Sequence, residues 1–134
     1  MYTVKTMTQA IEQMAPLAWQ ESYDNSGLQV GDPHMDVKGV LLCLDITEAI
    51  IEEALAKNCN LIIAHHPLIF TPIKGIVDDY QGRIIMSLIK HDITLYIAHT
   101  NFDISNYGMD FLLASMLKLK DMENLDDITD NEGL

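Results

Sequence analysis

"LIIAHHPLIF", residues 61–70, is the stretch that decides how the chain folds and where its chemistry lies. A short, continuous apolar run is typical of a strand covered on both faces, so residues 60–67 are predicted to form a buried strand. His65 and His66 come at its carboxyl end. Neighbouring side chains on a regular strand point to opposite faces, so both imidazoles can face one site only if the chain bends. Pro67 favours a bend because it restricts the preceding residue and cannot donate to a sheet ladder.

The apolar runs on either side of this stretch predict an α/β fold. Further strands are expected at residues 28–30, 39–46 and 93–100. Helices are expected at residues 3–17, 47–58, 80–90 and 108–120. The last helix is expected to turn inward Leu112, Leu113, Met116 and Leu117. Alternating strands and helices indicate a parallel or mixed sheet with covering helices, in three layers.

The composition describes a globular chain of one domain. The 134 residues are 49% hydrophobic, and 20 acids against 8 bases give a net charge of −12. This charge argues against nucleic acid as a partner, because phosphate binding needs clustered Lys and Arg. No apolar run is long enough for a membrane span, and the N-terminus lacks signal-peptide features, so a cytoplasmic location is expected. Cys43 and Cys59 are expected to be reduced thiols.

Polar side chains follow the predicted strands at their carboxyl ends, where ligands bind in open α/β sheets. The strand at 39–46 leads to Asp45, and the strand at 93–100 leads to His99 and Asp103. Imidazole with carboxylate is a usual ligand set for Zn, Mn or Fe, so this edge of the sheet is a candidate metal site. Adjacent imidazoles that diverge from one bend, as at His65 and His66, suit two neighbouring ions better than one.

Each of these residues also has a purely structural interpretation. The histidines can be partly buried residues that only make hydrogen bonds, and His34 and His91 are interpreted as surface residues. Asp103 can be a helix N-cap or part of an Asx-turn. Asp45 can orient a ligand histidine without binding metal, but we favour a simple acid at the end of a strand.

Four stretches of the chain resemble the NIF-three-like dinuclear metal-centre proteins, also known as type 2 homologues of GTP cyclohydrolase I. They are "YDNSGLQVGDP" (23–33), "LLCLDIT" (41–47), "LIIAHHPLIF" (61–70) and "YIAHTNFD" (96–103). The resemblance extends from about residue 5 to 120, with the motifs in the family's order. It implies an α/β fold, toroidal homohexamers whose metal sites face the interior, and a pair of divalent ions (Zn, Mn or Fe) in each complete site.

The resemblance also implies roles for single residues. His65 and His66 match the histidines that bind different ions of the pair, and Asp103 matches the aspartate ligand. His99 belongs to the same motif and is placed beside the site, outside the ligand set. Asp24, Asn25, Gly27 and Gly31 match a loop of the family. The role of this loop is left open, and a turn is a sufficient explanation for it.

The chain departs from the family in one half of the site. Relatives are considerably longer, and their remaining ligands are a histidine and a glutamate on one helix near the C-terminus. No histidine follows His99, so these ligands have no counterpart here. The chain is therefore expected to be the N-terminal half of the family, with a domain at residues 1–120. The acidic stretch 121–134 is expected to be a mobile tail or the start of a linker.

Two functions remain open on these grounds. The favoured one is a dinuclear metal-dependent hydrolase fold, GTP cyclohydrolase-like by resemblance only, with an incomplete site in this chain. The alternative is a non-enzymatic metal-binding or assembly module. Self-association is expected in both cases, because a half-domain exposes sheet edges and apolar strands. The residues themselves indicate neither a substrate nor a catalytic group.

Overall fold

Four short strands form one mixed sheet in the computed structural model, which describes residues 2–122. They are β1 (Gly27–Val30), β2 (Val40–Cys43), β3 (Leu61–Ala64) and β4 (Thr94–Ile97), in the spatial order β1-β4-β3-β2. β2, β3 and β4 are parallel, and β1 pairs antiparallel with β4. The predicted α/β fold with a mixed sheet is confirmed, and the carboxyl ends of β2, β3 and β4 meet at one edge.

The helices begin where short polar side chains cap them. They are α1 (Val4–Met14), α2 (Glu48–Ala56), α3 (Tyr80–Lys90), α4 (Thr100–Asp103) and α5 (Met109–Met116), with a 3-10 turn at Leu17–Trp19. Thr3, Thr47 and Asp79 each accept a hydrogen bond from a backbone N–H in the first turn of α1, α2 and α3. α4 is a single turn directly after β4, in a stretch whose polar residues predict a loop.

The core consists of two apolar layers, one on each face of the sheet. The layer against α2 and α3 contains Ile51, Ile62, Leu88, Leu95 and Ile97. The layer against α1 contains Val4, Leu61, Tyr96 and Ala98. The central strands β3 and β4 are shielded on both faces, as their continuous apolar sequence predicts. The three-layer arrangement expected from the sequence is therefore present.

Two apolar elements are more exposed than the sequence indicates. The prediction that β2 is covered on both faces is wrong, because β2 lies at the sheet edge and Leu42 is 72% exposed. The prediction that α5 turns its apolar side chains inward is also wrong. The exposed fractions are 54%, 53%, 72% and 62% for Leu112, Leu113, Met116 and Leu117. α5 is mostly apolar in sequence, and within residues 2–122 none of its residues is buried.

The described chain continues past α5 without another regular element. Residues 117–122 form neither helix nor strand. The predicted acidic tail at 121–134 lies, from residue 123 onward, outside the described residues, and the domain boundary near residue 120 stays a prediction. None of the described helices is long and apolar enough to cross a membrane.

Gly31 allows β1 to lie against β4. Its φ is +112°, a conformation that favours glycine, and it follows directly after β1. A Cβ at this position would lie 2.3 Å from Thr94 Oγ1 and 2.7 Å from Thr94 Cα. Thr94, at the start of β4, therefore approaches too closely for any side chain at position 31.

Replacing Gly31 by Ala is expected to lower the free energy of unfolding by about 2–4 kcal/mol, because strained backbone and steric overlap add. Gly75→Ala is the matched control, since a Cβ at Gly75 meets nothing within 4 Å. The control should stay within about 0.5 kcal/mol of the wild type in urea unfolding. Equal midpoints for the two variants would contradict the close approach of β1 and β4.

Candidate metal centre

The chain bends after β3, and the bend brings His65 and His66 to one side. The N–H of His65 donates to Cys43 O (3.1 Å) and the N–H of His66 donates to Leu44 O (2.9 Å), so the two backbones stay paired beyond β2 and β3. The chain then turns at His65 and His66, ahead of Pro67. The two imidazole centroids lie 5.1 Å apart. The bend predicted from the sequence is therefore present, and both rings face one site.

His99 completes a cluster of three imidazoles. It follows β4, whose end is aligned with β3 by the hydrogen bond from Ala98 N–H to Ala64 O (3.0 Å). Its ring centroid lies 5.1 Å from that of His65 and 5.7 Å from that of His66. One ring nitrogen from each histidine lies within 4.8 Å of those of the other two. This spacing is compact enough for the three side chains to act on one ligand.

Each imidazole is anchored through its Nδ1 atom. Nδ1 lies 2.8 Å from Ala98 O in His65, 2.8 Å from Asp45 Oδ1 in His66 and 2.8 Å from Asp24 Oδ1 in His99. All three partners are acceptors, so in the neutral imidazoles Nδ1 carries the proton and Nε2 keeps a free lone pair. Histidines that bind metal are oriented in this way, by a carbonyl or carboxylate on the other ring nitrogen.

Asp103 brings a carboxylate to the same site. It is the last residue of α4, and its Oδ1 lies 3.6 Å from His65 Nε2. This distance is too long for a hydrogen bond, but atoms that share a metal ion lie roughly 3–3.5 Å apart, given metal–ligand bonds near 2.1 Å. The N-cap of α5 is Gly108, so the alternative interpretation of Asp103 as that cap is wrong. The three imidazoles, with this carboxylate beside His65, offer nitrogen and oxygen donors of the kind that Zn, Mn or Fe bind.

Asp24 is the buried anchor of the site. Its side chain has no solvent exposure, and it accepts hydrogen bonds from the backbone N–H groups of Asn25 (2.7 Å) and Thr100 (3.1 Å). It also accepts from Ser26 Oγ (3.1 Å), Thr100 Oγ1 and His99 Nδ1. Burial by itself would raise the pKa of this carboxyl, but the hydrogen bonds from Thr100, His99 and Asn25 outweigh it and lower the pKa well below its usual range.

The role of Asp24 was not identified from the sequence, and the observed role of Asp45 was given there only as the less favoured alternative. A turn alone does not explain Asp24, because its carboxylate orients His99, 75 positions away. The favoured interpretation of Asp45 as a simple strand-end acid is wrong, because it orients His66. Asn101 was missed as well: it is fully buried, accepts from the N–H of His99 (3.1 Å) and donates to Ala15 O (2.8 Å). No local spacing could signal these contacts, since each joins distant segments or depends on how α4 turns.

The remaining histidines lie away from the cluster. The ring of His91 contacts Ser87 O (2.9 Å) at the end of α3. The backbone N–H of His34 donates to Asp32 Oδ1 (2.8 Å), in the loop after β1. Neither joins the imidazole group, in agreement with their interpretation as ordinary residues.

Comparison with known sequences gives one consistent result. Residues 2–134 match the sequence model described as Duf34/NIF3 (NGG1p interacting factor 3). The GTP cyclohydrolase 1 type 2 homolog of Halalkalibacterium halodurans is 43% identical over 122 residues, which are 90% of this chain and 33% of that protein. The protein of the same name from Bacillus subtilis is 44% identical over 118 residues, 87% of this chain and 32% of that protein. The chain thus spans about a third of the length of these relatives.

Solved structures share the fold. A Bacillus cereus protein related to NIF3 has a TM-score of 0.87 and 41% identity, over 93% of this chain and 35% of that one. Reduced HcgD from Methanocaldococcus jannaschii has a TM-score of 0.87 and 32% identity, over 94% of this chain and 51% of that one. The resemblance inferred from the four sequence stretches is therefore confirmed.

Asp24→Asn is expected to lower the free energy of unfolding at neutral pH by about 2–4 kcal/mol, because an amide NH₂ group would face the donors that now surround a carboxylate. Asp45→Asn is the matched control. It also removes a carboxylate from an imidazole, but Asp45 is 62% exposed, so about 0.5 kcal/mol or less is expected.

The same pair of variants tests the pH dependence. The pKa of Asp24 is lower in the folded chain than in the unfolded chain, so its stabilisation is present above the ordinary carboxyl pKa. It is lost as the pH falls through that value toward the folded pKa. Urea unfolding of the wild type from pH 7 to pH 3 should therefore show an acid loss that Asp24→Asn reduces and Asp45→Asn keeps. If Asp24→Asn lost as much unfolding free energy between pH 7 and pH 3 as the wild type does, the role of Asp24 would be contradicted.

Proposed function

The chain belongs to the Duf34/NIF3 family, and on that premise we propose that it binds divalent metal through His65, His66, His99 and Asp103. The observation that carries the proposal is the anchoring of all three imidazoles through Nδ1, which leaves three Nε2 lone pairs for a cation. A cluster of this kind can hold a metal ion. The chemistry of the donors favours Zn, Mn or Fe over Mg or Ca, which prefer oxygen ligands.

His99 is proposed as a ligand, although the resemblance places it beside the site. Its ring lies as close to His65 as the ring of His66 does, with 5.1 Å between the centroids in both pairs. Its Nδ1 is held by Asp24, a carboxylate with no solvent exposure. This support orients the free nitrogen at least as firmly as in the neighbouring histidines.

The finer proposal is a dinuclear, metal-dependent hydrolase. His65 and His66 leave one bend at consecutive positions, and each is proposed to serve a different ion, with Asp103 beside His65. A bound divalent ion lowers the pKa of a coordinated water and polarises the bond to be broken. The name of the relatives, GTP cyclohydrolase 1 type 2 homolog, supports a cyclohydrolase-type reaction. Because the chain spans about a third of these relatives, the complete reaction is proposed for the whole protein.

The second candidate function is a non-enzymatic metal-binding or assembly module. The observation that favours it is the exposed apolar surface of α5 together with the open edge at β2. Such a surface on a chain of this size is typical of a protein–protein interface. A homo-oligomer, a hexamer by resemblance to the family, is proposed for either function.

Titration of the metal-free chain with Zn²⁺, Mn²⁺ or Fe²⁺ against a chromophoric chelator tests the metal centre. His65→Ala and His99→Ala are each expected to weaken binding by at least about 100-fold, because changes one shell further out already weaken it 10- to 100-fold. His91→Ala is the matched control, since His91 lies outside the cluster, and it should bind as the wild type does.

Absence of binding in the wild type, or equal binding by His65→Ala, would contradict the metal centre. Wild-type affinity in His99→Ala would contradict only the role of His99. The metal-loaded samples are then assayed with GTP and a panel of phosphoesters. Hydrolysis that His65→Ala abolishes supports the hydrolase, whereas bound metal without turnover favours the binding module.

Self-association is predicted to depend on α5. Light scattering should give a mass above that of one chain, and Leu113→Glu should lower it by placing a charge on the apolar helix. Gln9→Glu adds the same charge at an exposed polar position of α1 and is the control. A wild type that is monomeric at all concentrations would contradict the assembly.

A further inference from the structure

Tyr23 and Phe70 form an exposed aromatic pair that the metal centre does not use. Their ring centroids lie 6.3 Å apart, with an angle of 49° between the planes. Tyr23 is 64% exposed and Phe70 is 45% exposed. The contact is in the range of aromatic pairs that attract each other, yet much of each ring stays open to solvent.

The two rings come from the segments that build the metal centre. Tyr23 directly precedes Asp24, so the Cα atoms of these two residues are one peptide apart. Asp24 in turn accepts a hydrogen bond from His99. Phe70 ends the ten-residue stretch that contains His65 and His66. The aromatic pair is therefore attached, on both sides, to residues that orient or supply the imidazoles.

Hydrogen bonds fix the backbone of the segments that carry the rings. Asn25 Nδ2 donates to Ile69 O (2.6 Å). The Gln29 amide pairs with both backbone groups of Ile69: Nε2 donates to its O (2.9 Å), and Oε1 accepts from its N–H (2.8 Å). Gln81 Nε2 donates to Leu68 O (2.5 Å). These side-chain bonds fix the backbone next to each ring while the rings themselves contribute little buried area to the core.

This arrangement is typical of a binding site and not of core packing. Aromatic residues that serve the fold are buried, as Tyr96 is, whereas half-exposed rings leave apolar surface in water. Ligand sites combine apolar or aromatic walls with a few placed polar groups. A backbone fixed in advance lowers the entropy lost on binding. Here the segments that carry the aromatic pair also carry Asp24 and the imidazoles His65 and His66, so apolar rings and polar groups come from the same two stretches of chain.

We propose that Tyr23 and Phe70 form a ring-binding subsite, which takes a planar heteroaromatic group of the substrate handled at the imidazole cluster. This inference rests on the proposed function, because the subsite serves chemistry only if the cluster holds metal. Stacking on aromatic side chains tolerates different rings, so the subsite favours any planar ring. The metal centre would then determine which bond of the substrate reacts.

Binding of 2-aminopurine riboside to the full chain tests the subsite, because stacking quenches the fluorescence of this planar probe. Excitation is set where Trp19 does not absorb. Tyr23→Leu and Phe70→Leu keep an apolar side chain and remove a π face. Each is expected to lower the affinity for the probe roughly tenfold. Tyr107→Leu removes a tyrosine that is 60% exposed elsewhere and is the matched control. Circular dichroism confirms that all variants are folded.

A second measurement tests whether the subsite adjoins the metal centre. Mn²⁺ is added to the probe complex, and paramagnetic broadening of the ring protons is recorded by NMR. Broadening in the wild type that disappears in Phe70→Leu supports the proposal. Absence of quenching in the wild type, or equal quenching by Tyr23→Leu and Tyr107→Leu, overturns the subsite even if Mn²⁺ binds. Quenching by a chain that binds no Mn²⁺ supports the ring-binding pair and contradicts the proposed metal function instead.

Discussion

The carboxylate of Asp24 is the contact on which the site depends. It accepts hydrogen bonds from His99 and Thr100 on one side and from Asn25 and Ser26 on the other. A buried ion is unfavourable unless its oxygens are hydrogen-bonded, and here donors from two distant segments meet that demand. The loop before β1 docks because it carries this ion, and His99 is oriented because it donates to it. Docking of the loop and orientation of the ring are therefore a single event.

The three imidazoles differ in how firmly they are held. His65 is anchored to a backbone carbonyl at the end of the central strand, and His99 to a carboxylate without solvent exposure. His66 is anchored to Asp45, and both of these side chains are about half exposed or more, at 46% and 62%. A contact between two such exposed side chains adds little to stability. The cluster thus consists of two rings held at mostly buried anchors and one ring, His66, that is more exposed and less firmly held.

The fold and half of the site follow from local patterns in the sequence. The apolar run of β3, the bend at His65 and His66 and the carboxylate of Asp103 after β4 depend on near neighbours. The predictions that β2 and α5 are buried were wrong, because an apolar run predicts burial but does not identify the partner that covers it. The role of Asp24 was not predicted, and that of Asp45 was not favoured, for a related reason: each acts on a histidine more than twenty positions away. Hydrophobic period and turn chemistry carry no information about such pairs.

The anchor of His65 links the metal centre to strand pairing. Its Nδ1 binds the carbonyl of Ala98, whose own N–H donates to Ala64 O in the ladder between β3 and β4. A slip of one residue between these strands would take that carbonyl away and would also turn every side chain of the slipped strand to the opposite face. Only one alignment of β3 and β4 thus gives His65 a free Nε2 next to His99. The ligand set is therefore a readout of strand register, since a misaligned sheet would not assemble it.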